Sequence, residues 1–159
     1  MAETLKYNVY FGAIGWQHIH WQARFYPDDL PEEWQLSYYN TQFRCVYLPS
    51  ISWVRCSLEI AKSWLTDTQA NFRFILEAPD SLNRRSTQFL EAMGERALIS
   101  DADRLRPQIF WFPPEPDLRQ LRGEIQKAID QRQDLFLLNR EAHLPALEKV
   151  RSLVELMGY

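Results

Sequence analysis

Glycine-rich phosphate cradles have almost nothing to be built from in this chain, which carries only 5 glycines in 159 residues. No G-x-G-x-x-G and no P-loop occurs, so a nucleotide cofactor is not expected. Cysteine is equally thin: the two thiols, Cys45 and Cys56, do not stand in a C-x-x-C spacing, and reduced, inert thiols are the expectation. No apolar run approaches the roughly 18 residues of a spanning helix, and the start MAETLKYN lacks the basic and apolar regions of a secretion signal. These absences point away from a membrane and toward a cytoplasmic protein. The formal net charge is -3, with the 18 Lys and Arg scattered along the chain. No basic stripe follows a phosphate backbone, so nucleic acid is not an expected partner.

What is plentiful is apolar and aromatic surface, 46% and 14% of the chain, enough for one domain with a real core. The chain is organised around residues 9–34, VYFGAIGWQHIHWQARFYPDDLPEEW. An apolar run breaks at Gly12 and Gly15, and a long loop then carries His18, His20, Trp21, Phe25 and Tyr26. Pro31, with Glu32 and Glu33 in the first turn, admits a helix to about Asn40. A strand feeding an aromatic and histidine loop is one way for an α/β protein to build a site above its sheet.

The remaining elements alternate. Strands are predicted at Tyr7–Gly12, Phe43–Leu48, Phe72–Glu77, Pro107–Phe112 and Asp134–Leu138, each an apolar run, most of them ended by turn or proline signals. Helices are predicted from Ser57 through Leu65, from Thr87 to about Ala97, from Leu118 to Arg132 behind an Asp117 cap, and from Pro145 onward. Continuous apolar strands alternating with helices mark a parallel sheet covered by helices, here of about five βα units.

The order Ile14-Gly15-Trp16, His20-Trp21, Arg24-Phe25-Tyr26-Pro27 and Leu30-Pro31-Glu32-Glu33-Trp34 resembles the domain of unknown function 72 family, the YecE-like proteins. Tyr38, Tyr39, Phe43, Ser57, Trp64, Phe72-Arg73-Phe74 and Ala78-Pro79 continue the likeness; Leu105 to Pro114 and Arg140 extend it weakly. The resemblance implies a TIM-type (β/α) barrel with no firmly assigned activity, and this chain would be a shortened, divergent member forming a partial barrel. Several polar groups that the family shows at its strand ends are replaced here. Tyr47 and Pro49 stand in place of an acid and an asparagine, and Glu77 in place of a lysine.

A barrel usually needs about 250 residues and eight units. An open arc of five, with every helix outside, leaves its inner face and edge strands to be covered. Self-association into a dimer, or binding of a protein partner, is therefore the expected role. A fold-back of the N-terminal or proline-rich segments is the structural alternative. The competing reading is an enzyme acting on a small anionic metabolite, with Arg24 and Arg140 holding the anion and His20 or Glu77 as acid or base. The candidate ligand-binding residues are Trp16, His20, Trp21, Arg24, Tyr26, Glu77 and Arg140. His18 and His20 alone are too few for a metal, and no cofactor is expected. An enzyme requires an open pocket at the strand ends; a binding protein would have that space filled by Tyr47, Trp53 and Trp111.

Overall fold

A computed structural model describes residues 8–101 and 107–159. Six strands among these residues form one parallel sheet: β1 (Val9–Ile14), β2 (Cys45–Leu48), β3 (Arg73–Glu77), β4 (Ala97–Ser100), β5 (Gln108–Trp111) and β6 (Leu135–Asn139). The spatial order is β4-β3-β2-β1-β6-β5. Every neighbouring pair runs parallel, with Gly12 opposite Cys45 on one side and Leu138 on the other. The helices are α1 (Gln35–Gln42), the short α2 (Ser50–Trp53), α3 (Leu58–Asp67), α4 (Arg84–Met93), α5 (Leu118–Asp130) and α6 (Leu144–Leu156). The result is an α/β partial barrel.

The strand count corrects the sequence expectation of five. The helix predicted to reach Ala97 stops at Met93, because Gly94 takes a left-handed φ of 57° and turns the chain out of the helix. Ala97 to Ser100 are thereby free to pair with β3 as a further strand. Helix α4 also begins earlier than expected. Asn83 caps it and Ser86 completes a reciprocal capping box, so Ser86 lies inside the first turn. The Asp117 cap on α5 stands as read, accepting from the Gln120 N–H at 3.1 Å. Tyr7, Leu105 and Arg106, included in the sequence reading of two strands or their approach, lie outside the described residues.

Alternation along each strand separates two faces. Val9, Phe11, Ala13, Val46, Leu48, Phe74, Leu76, Leu135 and Leu137 face the helices, in the larger core. Tyr10, Cys45, Tyr47, Ile75, Phe136 and Leu138 face the other way and form a second buried cluster. Edge strands β4 and β5 are half-buried throughout, whereas β2 and β6 are buried along their whole length.

The second cluster explains how the hollow side is covered. The ring of Tyr47 on β2 meets that of Trp111 on β5 at 5.0 Å, edge to face, although β1 and β6 lie between them. In a flat sheet those strands would be roughly 14 Å apart. The sheet is therefore strongly curled, and its concave side is packed by its own side chains. Trp53, expected in that space, packs instead in the helix-facing core against Phe89 at 5.9 Å.

At the centre, α1 stitches β1 to β2 through one hydroxyl. Tyr39 Oη accepts the Ala13 N–H at 2.8 Å and donates to the Cys45 carbonyl at 2.7 Å. The approach is so close that a Cβ on Gly12 would lie 1.9 Å from the Cys45 oxygen. Only glycine fits.

Candidate functional site at the carboxyl ends of the strands

Because all strands are parallel, their carboxyl ends share one end of the barrel, and the segments that leave them carry most of the candidate residues. Gly15, at φ 67°, turns the chain out of β1 while its N–H bonds the Tyr47 carbonyl at 2.9 Å. The loop that follows folds back as a wedge of rings. Trp21 is fully buried, stacks on Tyr39 at 6.0 Å, and donates its indole N–H to the Ala142 carbonyl at 2.9 Å. Phe25 meets it edge-on at 5.1 Å, and the Tyr26 hydroxyl donates to the Trp16 carbonyl. Burial pushes the Tyr26 hydroxyl well above its ordinary range, so it stays protonated and structural. Trp16 packs edge-on against Trp64 at 5.1 Å. Three of the seven candidates thus belong to one aromatic layer between the sheet and its helices.

The two loop histidines are tied to the same layer. His20 Nε2 lies 3.1 Å from the Ala142 carbonyl, on an otherwise exposed side chain. His18 lies 4.4 Å from the Trp21 ring and 3.3 Å from the Gly15 carbonyl, and burial lowers its pKa below the ordinary value. Their rings are 5.5 Å apart. Among the described residues no group of three His, Cys, Asp or Glu is placed to hold a metal ion. Arg24 is exposed on the loop.

Glu77 and Arg140 both act on Tyr47 at a different place, the mouth of the hollow. Glu77, at the end of β3, accepts the Ser50 N–H at 3.1 Å and the Tyr47 hydroxyl at 3.4 Å. Its backbone carbonyl takes the Trp53 indole N–H at 2.9 Å. Arg140, just past β6, sets its guanidinium 3.9 Å over the Trp111 ring. The Tyr47 hydroxyl is raised above its ordinary pKa, first by burial and then by the Glu77 carboxylate, with Arg140 opposing. Tyr47, Glu77, Trp111 and Arg140 therefore form one interacting group drawn from three strands and the residue just past a fourth.

Sequence reasoning placed Glu77 and Arg140 as candidates but missed what joins them, since Tyr47 and Trp111 entered only as filling. It also missed Asn139. That buried amide donates to the Phe112 carbonyl at 2.9 Å and accepts the His143 N–H at 2.8 Å, tying the ends of β5 and β6 to α6. A polar residue ending an apolar strand was the available signal.

Residues 10–157 match the family described as Protein of unknown function DUF72. The chain belongs to the DUF72 family. A crystal structure of a DUF72 family protein from Thermotoga maritima shares the fold, with a TM-score of 0.57 and 14% identity, over 95% of this chain and 99% of that one. No curated protein matches the chain. The family description assigns no activity, and at such low identity the likeness speaks for the fold alone. In this DUF72 chain the strand ends are occupied as follows: a carboxylate bonded to a backbone N–H, a guanidinium stacked on an indole, and a tyrosine between them.

Large apolar side chains are exposed at this end, among polar ones such as Arg24, Asp28 and Glu33. Ile19 (87% exposed), Trp34 (61%), Ile51 (84%) and Leu82 (54%) all lie on segments between a strand's carboxyl end and the next long helix, and Leu118 (39%) opens α5. Leu156 (86%), near the end of α6, lies elsewhere. No described helix is long and apolar enough to cross a membrane.

Proposed function

We propose that this DUF72 chain is a non-catalytic binding protein that docks a second copy of itself through the carboxyl-end face of its partial barrel. The observation that carries the reading is the gathering of Ile19, Trp34, Ile51, Leu82 and Leu118 at one end, above a hollow packed by Tyr47 and Trp111. Exposed large apolar side chains collected on one face mark an interaction surface. A chemical site would instead keep an open, polar hollow there. A two-fold interface sets the same patch against itself, so an apolar face with a modest net charge of -3 suits a second copy. A stable interface of this kind buries roughly 800 Å² on each partner.

Amide chemical shifts recorded across a dilution series test this reading. Signals from Ile19, Ile51, Leu82 and their neighbours are expected to move with concentration, and the Ile19→Asp, Ile51→Asp double variant to show no movement. Shifts confined to the opposite end of the barrel, or none at any concentration, would count against it.

A second reading has its own observation. Arg140 is exposed beside Tyr47, and with Arg24 it could hold a small anion while Glu77 or His20 moves a proton. The Glu77 carboxylate, hydrogen-bonded to the same tyrosine, opposes negative charge at that point, which ranks this reading second. Inorganic phosphate separates the two. An anion site gives phosphate-dependent thermal stabilisation that Arg140→Ala removes.

A further inference from the structure

The apolar side chains of the proposed docking face do not fix how a second copy is turned on it; the charges among them do. The segment from β1 to α1 carries Asp28, Asp29, Glu32 and Glu33 against one cation, Arg24, and all five side chains are exposed. The segment from β3 to α4, with the first turn of that helix, carries Arg84 and Arg85 against one acid, Asp80, and these too are exposed. The arginines have no local use there. The first turn is the positive end of the helix dipole, which favours acids, and α4 has none in that turn. Among the described residues no ion pair engages Arg84, Arg85, Glu32 or Glu33, and Glu32 takes only the Gln17 amide, at 2.8 Å.

Strand order decides where the two segments stand. β2 lies between β1 and β3, so the acidic and basic segments leave the sheet on either side of it, from strand ends roughly 10 Å apart. The segment leaving β2 itself carries the exposed Ile51. A two-fold axis lying in the docking plane and passing over β2 exchanges the two sides. It brings the acidic segment of each copy onto the basic segment of the other, and Ile51 onto its own counterpart. An axis over β1 would instead set acid against acid, and one over β3 arginine against arginine.

We propose that two copies dock about an axis over β2, with Glu32 and Glu33 of each copy facing Arg84 and Arg85 of the other. The proposal rests on the docking reading above and adds the orientation of the pair and the residues that set it.

Opposite charge reversals test it. The Glu32→Arg, Glu33→Arg variant is basic at both contacts, and the Arg84→Glu, Arg85→Glu variant is acidic at both. Each therefore meets like charge twice when it pairs with itself, and a Kd at least about tenfold weaker than that of the wild type is expected. An equal mixture of the two restores opposite charge at both contacts. A mixed pair of about wild-type affinity is expected, weakened by about 0.5 M salt. Native mass spectrometry with one variant labelled with nitrogen-15 counts mixed pairs and homodimers separately. The neutral variants Glu32→Gln, Glu33→Gln and Arg84→Gln, Arg85→Gln, each expected to pair less tightly and with less dependence on salt than the wild type, serve if a reversed variant does not fold. A wild-type chain that never pairs contradicts the docking reading, and this proposal falls with it. A wild-type dimer whose charge variants pair as tightly as it does, or whose reversed variants form no mixed pair, leaves the docking reading standing and overturns the proposed axis.

Discussion

Gly12 and Tyr39 act as one device. The hydroxyl of Tyr39 serves a strand N–H and a strand carbonyl at once, and it can reach them only because residue 12 has no side chain. Tyr39→Phe keeps the ring and its contacts but leaves the Ala13 N–H and the Cys45 carbonyl without that partner. A loss of about 1–3 kcal/mol is expected, read as a lower denaturant midpoint. Gly12→Ala should cost more, since the added carbon would overlap the Cys45 backbone, and no side-chain rotation can relieve it. His18 gives a pH signature at the same scale. Its folded pKa lies below the ordinary 6.5, chiefly by burial, with nearby His20 adding in the same direction. The unfolded chain therefore takes up the proton first as pH falls. The His18 contribution to stability is full above pH 6.5, is lost as pH falls below it, and levels off beneath the folded pKa. Thermal midpoints of the wild type and His18→Gln, compared from pH 7.5 to 5, are expected to show a shallower decline in the variant.

Helix ends decide the elements. Asn83→Ala removes a side-chain acceptor and half of a capping box, and about 1 kcal/mol is expected to go with it, measurable by denaturant unfolding. The same region shows why part of the fold was legible in the sequence and part was not. Apolar runs such as Phe74-Ile75-Leu76 and Leu135 to Leu138 exceed what a two-faced surface strand would carry, so the parallel sheet could be read directly. Strand β4 could not be read that way. Ala97-Leu98-Ile99 is a short apolar run close behind a helix, and its periodicity continues the helix as well as it starts a strand; only Gly94 divides them. The candidate site divides similarly. Glu77 and Arg140 were visible as polar residues closing apolar strands, but their link through Tyr47 depends on the curl of the sheet. The loop rings Trp16, Trp21 and Tyr26 could equally have lined a pocket or plugged a core by composition alone. The burial of all three, and the hydrogen bonds of Trp21 and Tyr26 to backbone carbonyls, place them in the core.

The whole molecule answers the problem of an unclosed barrel by curling until side chains of its concave side pack on one another. Tyr10, Tyr47, Ile75, Phe136 and Leu138 meet there, each such side chain worth roughly 1.5–3 kcal/mol when buried. Large apolar side chains remain exposed on segments at the carboxyl end, and the proposed docking of a second copy rests on them. Since Arg140 is expected to shield the Trp111 ring without holding an anion, Arg140→Ala should cost only about 0.5–1 kcal/mol. It should leave the thermal midpoint equally insensitive to inorganic phosphate. The most direct measurement of the central claim is the mass of the wild-type chain in solution by light scattering during size exclusion, set beside the Ile19→Asp, Ile51→Asp variant. A wild-type mass twice that of one chain, falling to that of one chain in the folded variant, is the expected result. A wild-type protein with the mass of a single chain at every concentration would contradict it.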